Sequence, residues 1–419
     1  MLHSFSTPSD AVRKRPKAKE VHTAGKNPCG RTRDPRARIA CDFRGTEPSG
    51  KPLLPKGRRV QGGNMARKLK PISEQTIVIT GASSGIGLTT AQRAARAGAN
   101  VVLVSRNEMA LKKIRDEIRS AGGKADFVAA DMGVRDEVRN VVDTVVERHG
   151  GFDTWVNGAG VGIYARLEET SDEDHQKIFQ TNYWGVVYGS LEALKHLKYK
   201  HGALINIGSI SSDMPAPILS AYTASKHAVK GFTDSLRLEL LHDKAPVSVT
   251  LIKPSGIQTP FGDHAKNYMD AASRVPPPVY HPEVVAEAIL RAATHPMRDI
   301  TVGGAGLAMT MLAGIAPALS DRLFAWSFFK TARDEKQKKH DESALHEPGD
   351  GGRKLGEQSG HIRETSLAAK AQMHPFATAG LTAIAAVAVL SLRKSGRQRL
   401  GNATRAAIPT RLLIGSITP

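Results

Sequence analysis

The chain has 419 residues, 40% apolar and 24% charged, which suits a globular protein of few domains and excludes collagen, a coiled coil and wholesale disorder. Its net charge of +19 would suggest a polyanion partner if it were spread over the molecule. It is not: residues 1–64 hold fifteen Lys/Arg against five Asp/Glu and residues 393–419 hold six Lys/Arg and no acid, which leaves about +3 for residues 65–392.

Residues 1–64 are rich in Arg, Lys, Pro and Gly without apolar periodicity, so they read as a disordered basic extension that buries too little surface to offset the entropy of ordering. Three accounts of it compete: a targeting peptide, which lacks an apolar core and contains acids; a nucleic-acid arm; and sequence upstream of a start at Met65. The last is preferred because a strand pattern begins soon after Met65, and nucleic acid is not an expected partner. Both cysteines, Cys29 and Cys41, fall in this extension, so neither a disulfide framework nor a cysteine-bound metal supports the body, and a reducing, cytoplasmic setting is compatible.

Residues 65–304 alternate β-branched runs with helical periodicity. The strand pattern covers Thr76 to Thr80, Val101 to Val104, Phe127 to Ala130, Thr154 to Val156, Ala203 to Ile207 and Val247 to Ile252. The helical pattern covers Leu88 to Ala97, Glu108 to Ala121, Val134 to His149, Ile178 to Leu197, Ala221 to Leu241 and Pro282 to Ala293. Such alternation predicts an α/β fold, a Rossmann-type doubly wound parallel sheet, with ligand at the carboxyl ends of the strands. Residues 305–330 read as an amphipathic helical appendage, 331–372 as a polar linker and 373–419 as an apolar segment with a basic tail.

Thr80-Gly81-Ala82-Ser83-Ser84-Gly85-Ile86-Gly87 joins the first strand to a helix. Glycine lets backbone approach a pyrophosphate and the helix start supplies free N–H groups, so Gly81, Ser83, Ser84, Gly85, Ile86 and Gly87 are candidate phosphate contacts. After the second strand comes Ser105-Arg106 with no acid at that corner; a cation there suits the 2′-phosphate of NADP(H), which is preferred to NAD(H). Asp131, after the third strand, is placed either to accept from the adenine amino group or to cap the next helix. Tyr222 and Lys226 are four apart on one helix face, where a cation favours phenolate, and Ser209 closes the strand thirteen residues before Tyr222. The histidines have no ligand-like spacing, so no metal is expected.

With these residues the chain resembles the short-chain dehydrogenase/reductase family over roughly residues 72–304. The resemblance covers the glycine turn Gly81, Gly85 and Gly87, and Asn157-Gly158-Ala159-Gly160 against the family's N-N-A-G. It also covers the catalytic residues Ser209, Tyr222 and Lys226, with Asn182 as fourth member, and Pro254-Ser255-Gly256-Ile257-Gln258-Thr259 against P-G-x-x-x-T. Gly158 in place of the second Asn and Ser255 before the Gly are departures. The resemblance implies hydride transfer between an alcohol and a ketone or aldehyde, with Tyr222 as general acid or base, Ser209 on the substrate oxygen and Lys226 on the nicotinamide ribose. Asn182 would support a proton-relaying water. It implies cofactor contacts from Asn157, Gly158, Ala159, Ile257 and Thr259 as well. A non-catalytic NADP(H)-binding sensor or scaffold on the same fold is the alternative, which an intact Ser209, Tyr222 and Lys226 opposes.

A lid over Pro260 to Tyr280 suits a small or medium, partly apolar alcohol or carbonyl substrate, and the two long helices suit a homodimer or homotetramer. Phe376 to Leu392 is free of charge, but seventeen residues at about 1.5 Å span ~26 Å, short of a ~30 Å hydrocarbon layer. Peripheral attachment to a membrane surface through residues 376–399 is one expectation for this tail, and a docked or loose helix the other.

Overall fold

The β-branched run Thr76–Thr80 (β1) shows how the core is built. Strand side chains alternate between faces. Ile77 and Ile79 enter one apolar layer with Leu88, Leu103, Ile114 and Ile289, while Val78 enters the opposite layer with Val102, Val138, Trp155, Leu197 and Leu236. Both faces are therefore covered, as the sequence texture required. The computed structural model from which this is read describes residues 69–340, 342–375 and 377–379.

After β1 come α1 (Gly85–Arg96), β2 (Asn100–Ser105), α2 (Glu108–Ser120), β3 (Lys124–Ala129), α3 (Arg135–His149) and β4 (Thr154–Asn157). The second half has α4 (Asp172–Phe179), α5 (Gly185–Lys200), β5 (Ala203–Ile207), α6 (Ser220–His242), β6 (Ser248–Pro254), α7 (Pro282–Thr294) and β7 (Asp299–Val302). The strands form one parallel sheet in the order β7-β6-β5-β4-β1-β2-β3. Strand order reverses between β1 and β4, which opens a crevice at their carboxyl ends. Local chemistry fixes the helix ends: the Asn107 side chain accepts from the Ala110 N–H at 3.0 Å at the start of α2, and Gly150 ends α3 in the left-handed region at φ 69°.

Three elements differ from the sequence expectation. β7 was not foreseen: Asp299–Val302 mixes polar and apolar residues rather than forming an apolar run, and pairing with β6 is what holds it. The helix expected over Ile178 to Leu197 is two α-helices joined by a π turn, Gln180–Trp184. Residues 331–372 are not a linker. Arg333–Asp334 pairs with Ala272–Ser273, Ile362–Arg363 pairs with Val279–Tyr280, and Leu345 is fully buried. The segment ends in α10 (Leu367–Met373), where the Gln372 amide pairs with both N–H and C=O of Thr301 at 3.0 Å and so covers the outer edge of β7. Its polar composition misled because it docks through backbone pairing and ion pairs rather than through an apolar stripe.

The appendage forms α8 (Gly304–Ile315) and α9 (Pro317–Thr331), with Phe324 and Phe328 packed on Tyr164 and Met214. No helix among the described residues is long and apolar enough to cross a membrane. The basic extension 1–64 and, apart from residues 373–375 and 377–379, the segment 373–419 with its expected membrane-surface contact lie outside the described residues.

Candidate active site

The turn between β1 and α1 runs backbone against backbone. A Cβ on Gly87 would stand 2.2 Å from the Gly81 carbonyl oxygen, so the helix can start this close to the strand only with glycine there. Thr80 ties the turn to β4 by accepting from the N–H groups of Gly158 at 3.0 Å and Ala159 at 3.2 Å. A Cβ on Gly158 would lie 2.7 Å from the Thr80 carbonyl, which explains the glycine where the family pattern has Asn. The Thr259 side chain packs on Gly85. Gly81, Ser83, Ser84, Gly85, Ile86, Gly87, Arg106, Asp131, Gly158, Ala159 and Thr259 all line one cavity of about 190 Å³.

Three candidates at this end are engaged otherwise than expected. Asn157 does not line the cavity: its amide accepts from Trp155 Nε1 at 2.7 Å and donates to Ser190 Oγ and Asn206 Oδ1 at 3.1 and 2.8 Å, inside the sheet layer. A buried amide is held by such partners rather than offered to a ligand. Asp131 accepts from the Gly133 N–H at 2.8 Å and from Lys177 at 3.2 Å, so its carboxylate ties the turn before α3 to α4 while still lining the cavity. The Arg106 guanidinium donates to the carbonyls of Ala344, His346 and Glu347 at 2.5, 2.9 and 3.1 Å, and to that of Leu345 at 3.4 Å.

The second cavity, about 200 Å³, shares Ile86, Gly158, Gly160, Thr259 and Phe261 with the first and continues it. Ser209, Tyr222, Lys226 and Ile257 line it, so the residues chosen for catalysis and the nicotinamide end converge there. Ser209 begins a short 3-10 turn after β5, its Oγ accepting from the Ser211 N–H at 3.1 Å. Lys226, one turn along α6 from Tyr222, is 5% exposed and donates to the Ile207 carbonyl at 2.9 Å. Burial pulls its ammonium down to about 8. Burial pushes the Tyr222 phenol up to about 12, against a hydrogen bond with Ser209 that pulls it down.

Asn182 sits in the π turn behind Lys226 and is fully buried. Its Oδ1 accepts from the Val161 N–H at 2.8 Å, and its Nδ2 donates to Val161 O at 3.0 Å and Ser225 Oγ at 3.1 Å. Both amide hydrogens are engaged within the protein, and the side chain holds the loop after β4 in place.

Of two further contributors, one was expected within the lid and one was missed. Phe261, within the expected lid, meets the Tyr222 ring edge-on, centroids 5.2 Å apart, and lines both cavities. Ala344, Pro348, Gly349 and Asp350 wall the first cavity from the supposed linker, where Pro348-Gly349-Asp350-Gly351-Gly352 was the available signal. No group of three or more His, Cys, Asp or Glu among the described residues could hold a metal ion.

Residues 75–269 match the family described as short chain dehydrogenase. An uncharacterized oxidoreductase of Bacillus subtilis, YxnA, is 43% identical over 320 residues, 75% of this chain and 90% of that protein. An 11-beta-hydroxysteroid dehydrogenase A of Sesamum indicum is 32% identical over 55% of this chain and 68% of its own length. In fold, the chain is similar to a short chain dehydrogenase/reductase from Burkholderia phymatum solved in complex with NAD, with TM-score 0.55, 24% identity, and 64% and 99% of the two chains covered. Fold, cavity and relatives define an oxidoreductase acting on CH–OH or C=O groups. The chain belongs to the short-chain dehydrogenase family.

Proposed function

We propose that the chain interconverts a partly apolar alcohol and its ketone or aldehyde with NADP(H), in the cytoplasm, with Tyr222 as the proton donor in reduction. The observation that carries this reading is the meeting of Ser209, Tyr222 and Lys226 in a cavity that continues into the glycine-turn groove.

The groove fits a nicotinamide dinucleotide. Its floor is backbone, which leaves room for a pyrophosphate, and the buried Lys226 ammonium has one hydrogen bond among the described residues, leaving N–H groups for ribose hydroxyls. Arg106 is the cation at the adenosine end that supports a 2′-phosphate. The bound cofactor supplies the hydride. Tyr222, protonated at neutral pH, gives its proton to the forming alkoxide, and Ser209 holds the same oxygen. The positive Lys226 then stabilises the phenolate left behind. Leu219, Met309 and Phe328 face this cavity, which favours an apolar substrate, in line with the hydroxysteroid activity named for the sesame relative.

A panel of hydroxysteroids, medium-chain ketones and aldehydes, followed by NADPH and NADH absorbance, tests the reading. Substrate-dependent oxidation of NADPH is expected; no turnover of any member with either dinucleotide would overturn it.

A further inference from the structure

The donors that a phosphorylated dinucleotide needs are already occupied by one segment of the same chain. Beyond the four carbonyls of residues 344–347 on Arg106, Asn107 Nδ2 donates to Gly349 O at 2.9 Å and Gly352 N–H to Ser83 O at 2.8 Å. The Gly85 N–H, at the start of α1, donates to Arg353 O at 2.9 Å. Carbonyl oxygens thus stand where phosphate oxygens are to be received. The Asp350 carboxylate, which contacts His264 and Arg353, adds negative charge to the same wall.

The segment is seated by fit and latched from outside. A Cβ on Gly351 would come 2.4 Å from Ala110 Cβ and 3.2 Å from Ser83 O, so the strap lies on the turn only with glycine at that position. Beyond the groove, His346 Nε2 bonds Asp174 Oδ1 at 2.6 Å, and Tyr268 Oη donates to the other Asp174 oxygen at 2.7 Å. Arg353 reaches Asp263 at 3.3 Å.

We propose that residues 344–353 form a strap that competes with the phosphates of NADP(H) for Arg106 and Gly85, so that the cofactor binds with the strap lifted. This rests on the dinucleotide reading above. Binding and strap closure are then linked reciprocally, and apparent affinity is scaled by the fraction of molecules with the strap open. NAD(H), which does not need Arg106, is penalised less, so the strap also sets cofactor preference.

The test is NADPH and NADH fluorescence titration of the full chain and two variants, with hydrogen exchange read over residues 344–353. His346→Ala cuts the outer latch and Gly351→Ala wedges the strap off Ala110. Each is expected to tighten NADPH binding by about 3–10-fold and NADH binding by less, while NADPH added to the wild-type chain speeds exchange in the strap. Weaker NADPH binding in both variants, or strap amides protected by NADPH, would show a roof that closes on the cofactor and overturn the proposal; so would unchanged affinity with unchanged exchange. Failure of either dinucleotide to bind any form overturns the dinucleotide reading itself.

Discussion

Lys226 Nζ lies 5.6 Å from the centre of the Tyr222 ring and donates to the Ile207 carbonyl. The pair shares a helix face and a cavity, yet burial drives the two groups in opposite directions, the phenol up to about 12 and the ammonium down to about 8. Both shifts favour the neutral forms, but at neutral pH the phenol is uncharged in any case, so the cost to the fold is that of the buried Lys226 ammonium.

That cost has a measurable sign. Lys226 falls from 10.5 to about 8, so between those values the unfolded chain binds more protons than the folded one, and stability rises with pH across that window. Lys226→Met should raise the melting temperature at pH 7, by about 1–2 kcal/mol of stability once the unpaired Ile207 carbonyl is allowed for, and should lose turnover. Calorimetry of both proteins at pH 7 and pH 10 checks it; a melting temperature lowered at pH 7 contradicts it.

The phenol is held protonated through neutral pH, which suits reduction. Alcohol oxidation needs the phenolate and should gain rate as pH rises, while carbonyl reduction should not. Tyr222→Phe keeps ring packing on Phe261 and removes the proton, so turnover should fall about 10²–10⁴-fold with NADPH affinity retained. Single-turnover rates and fluorescence titration on the same preparation separate the two effects.

Asn157 matches a segment expected to meet the cofactor but serves the core. Asn157→Ala strands Trp155 Nε1, Ser190 and Asn206, and should cost about 2–4 kcal/mol in urea unfolding while leaving NADPH affinity of the folded chain unchanged. A loss of affinity without a loss of stability would restore it to the cofactor site.

Gly158→Asn, which would recreate the family's second Asn, should destabilise, because its Cβ would meet the Thr80 carbonyl at 2.7 Å. Thermal unfolding decides this: an unchanged or higher melting temperature means that β1 and β4 part easily here.

Pairing of two copies is proposed through α5 and α6, which leave Leu191, Leu238 and Leu241 exposed at 37%, 68% and 67%. Light scattering of the wild-type chain should give a dimer or tetramer, and Leu238→Asp with Leu241→Asp a monomer; a wild-type monomer at micromolar concentration rules the interface out.

The sheet was legible in the sequence because buried parallel strands must be continuous apolar runs and their crossover helices must carry 3.6-residue periodicity; Thr76–Thr80 and Ala203–Ile207 are bounded in the fold as the pattern bounded them. That Gly81 to Gly87 would form a turn into a helix and that Tyr222 and Lys226 would share a helix was legible for a related reason: both depend on spacing along one turn or one helix. What only the tertiary structure decided lies where partners are far apart in the chain. β7 exists through its pairing with β6, Asn157 and Asn182 are claimed by partners in other elements, and the 331–372 segment docks through backbone groups that every residue type carries. The surroundings of Tyr222 belong with these, since Ser209, Phe261 and Ile257 come to its cavity from other elements.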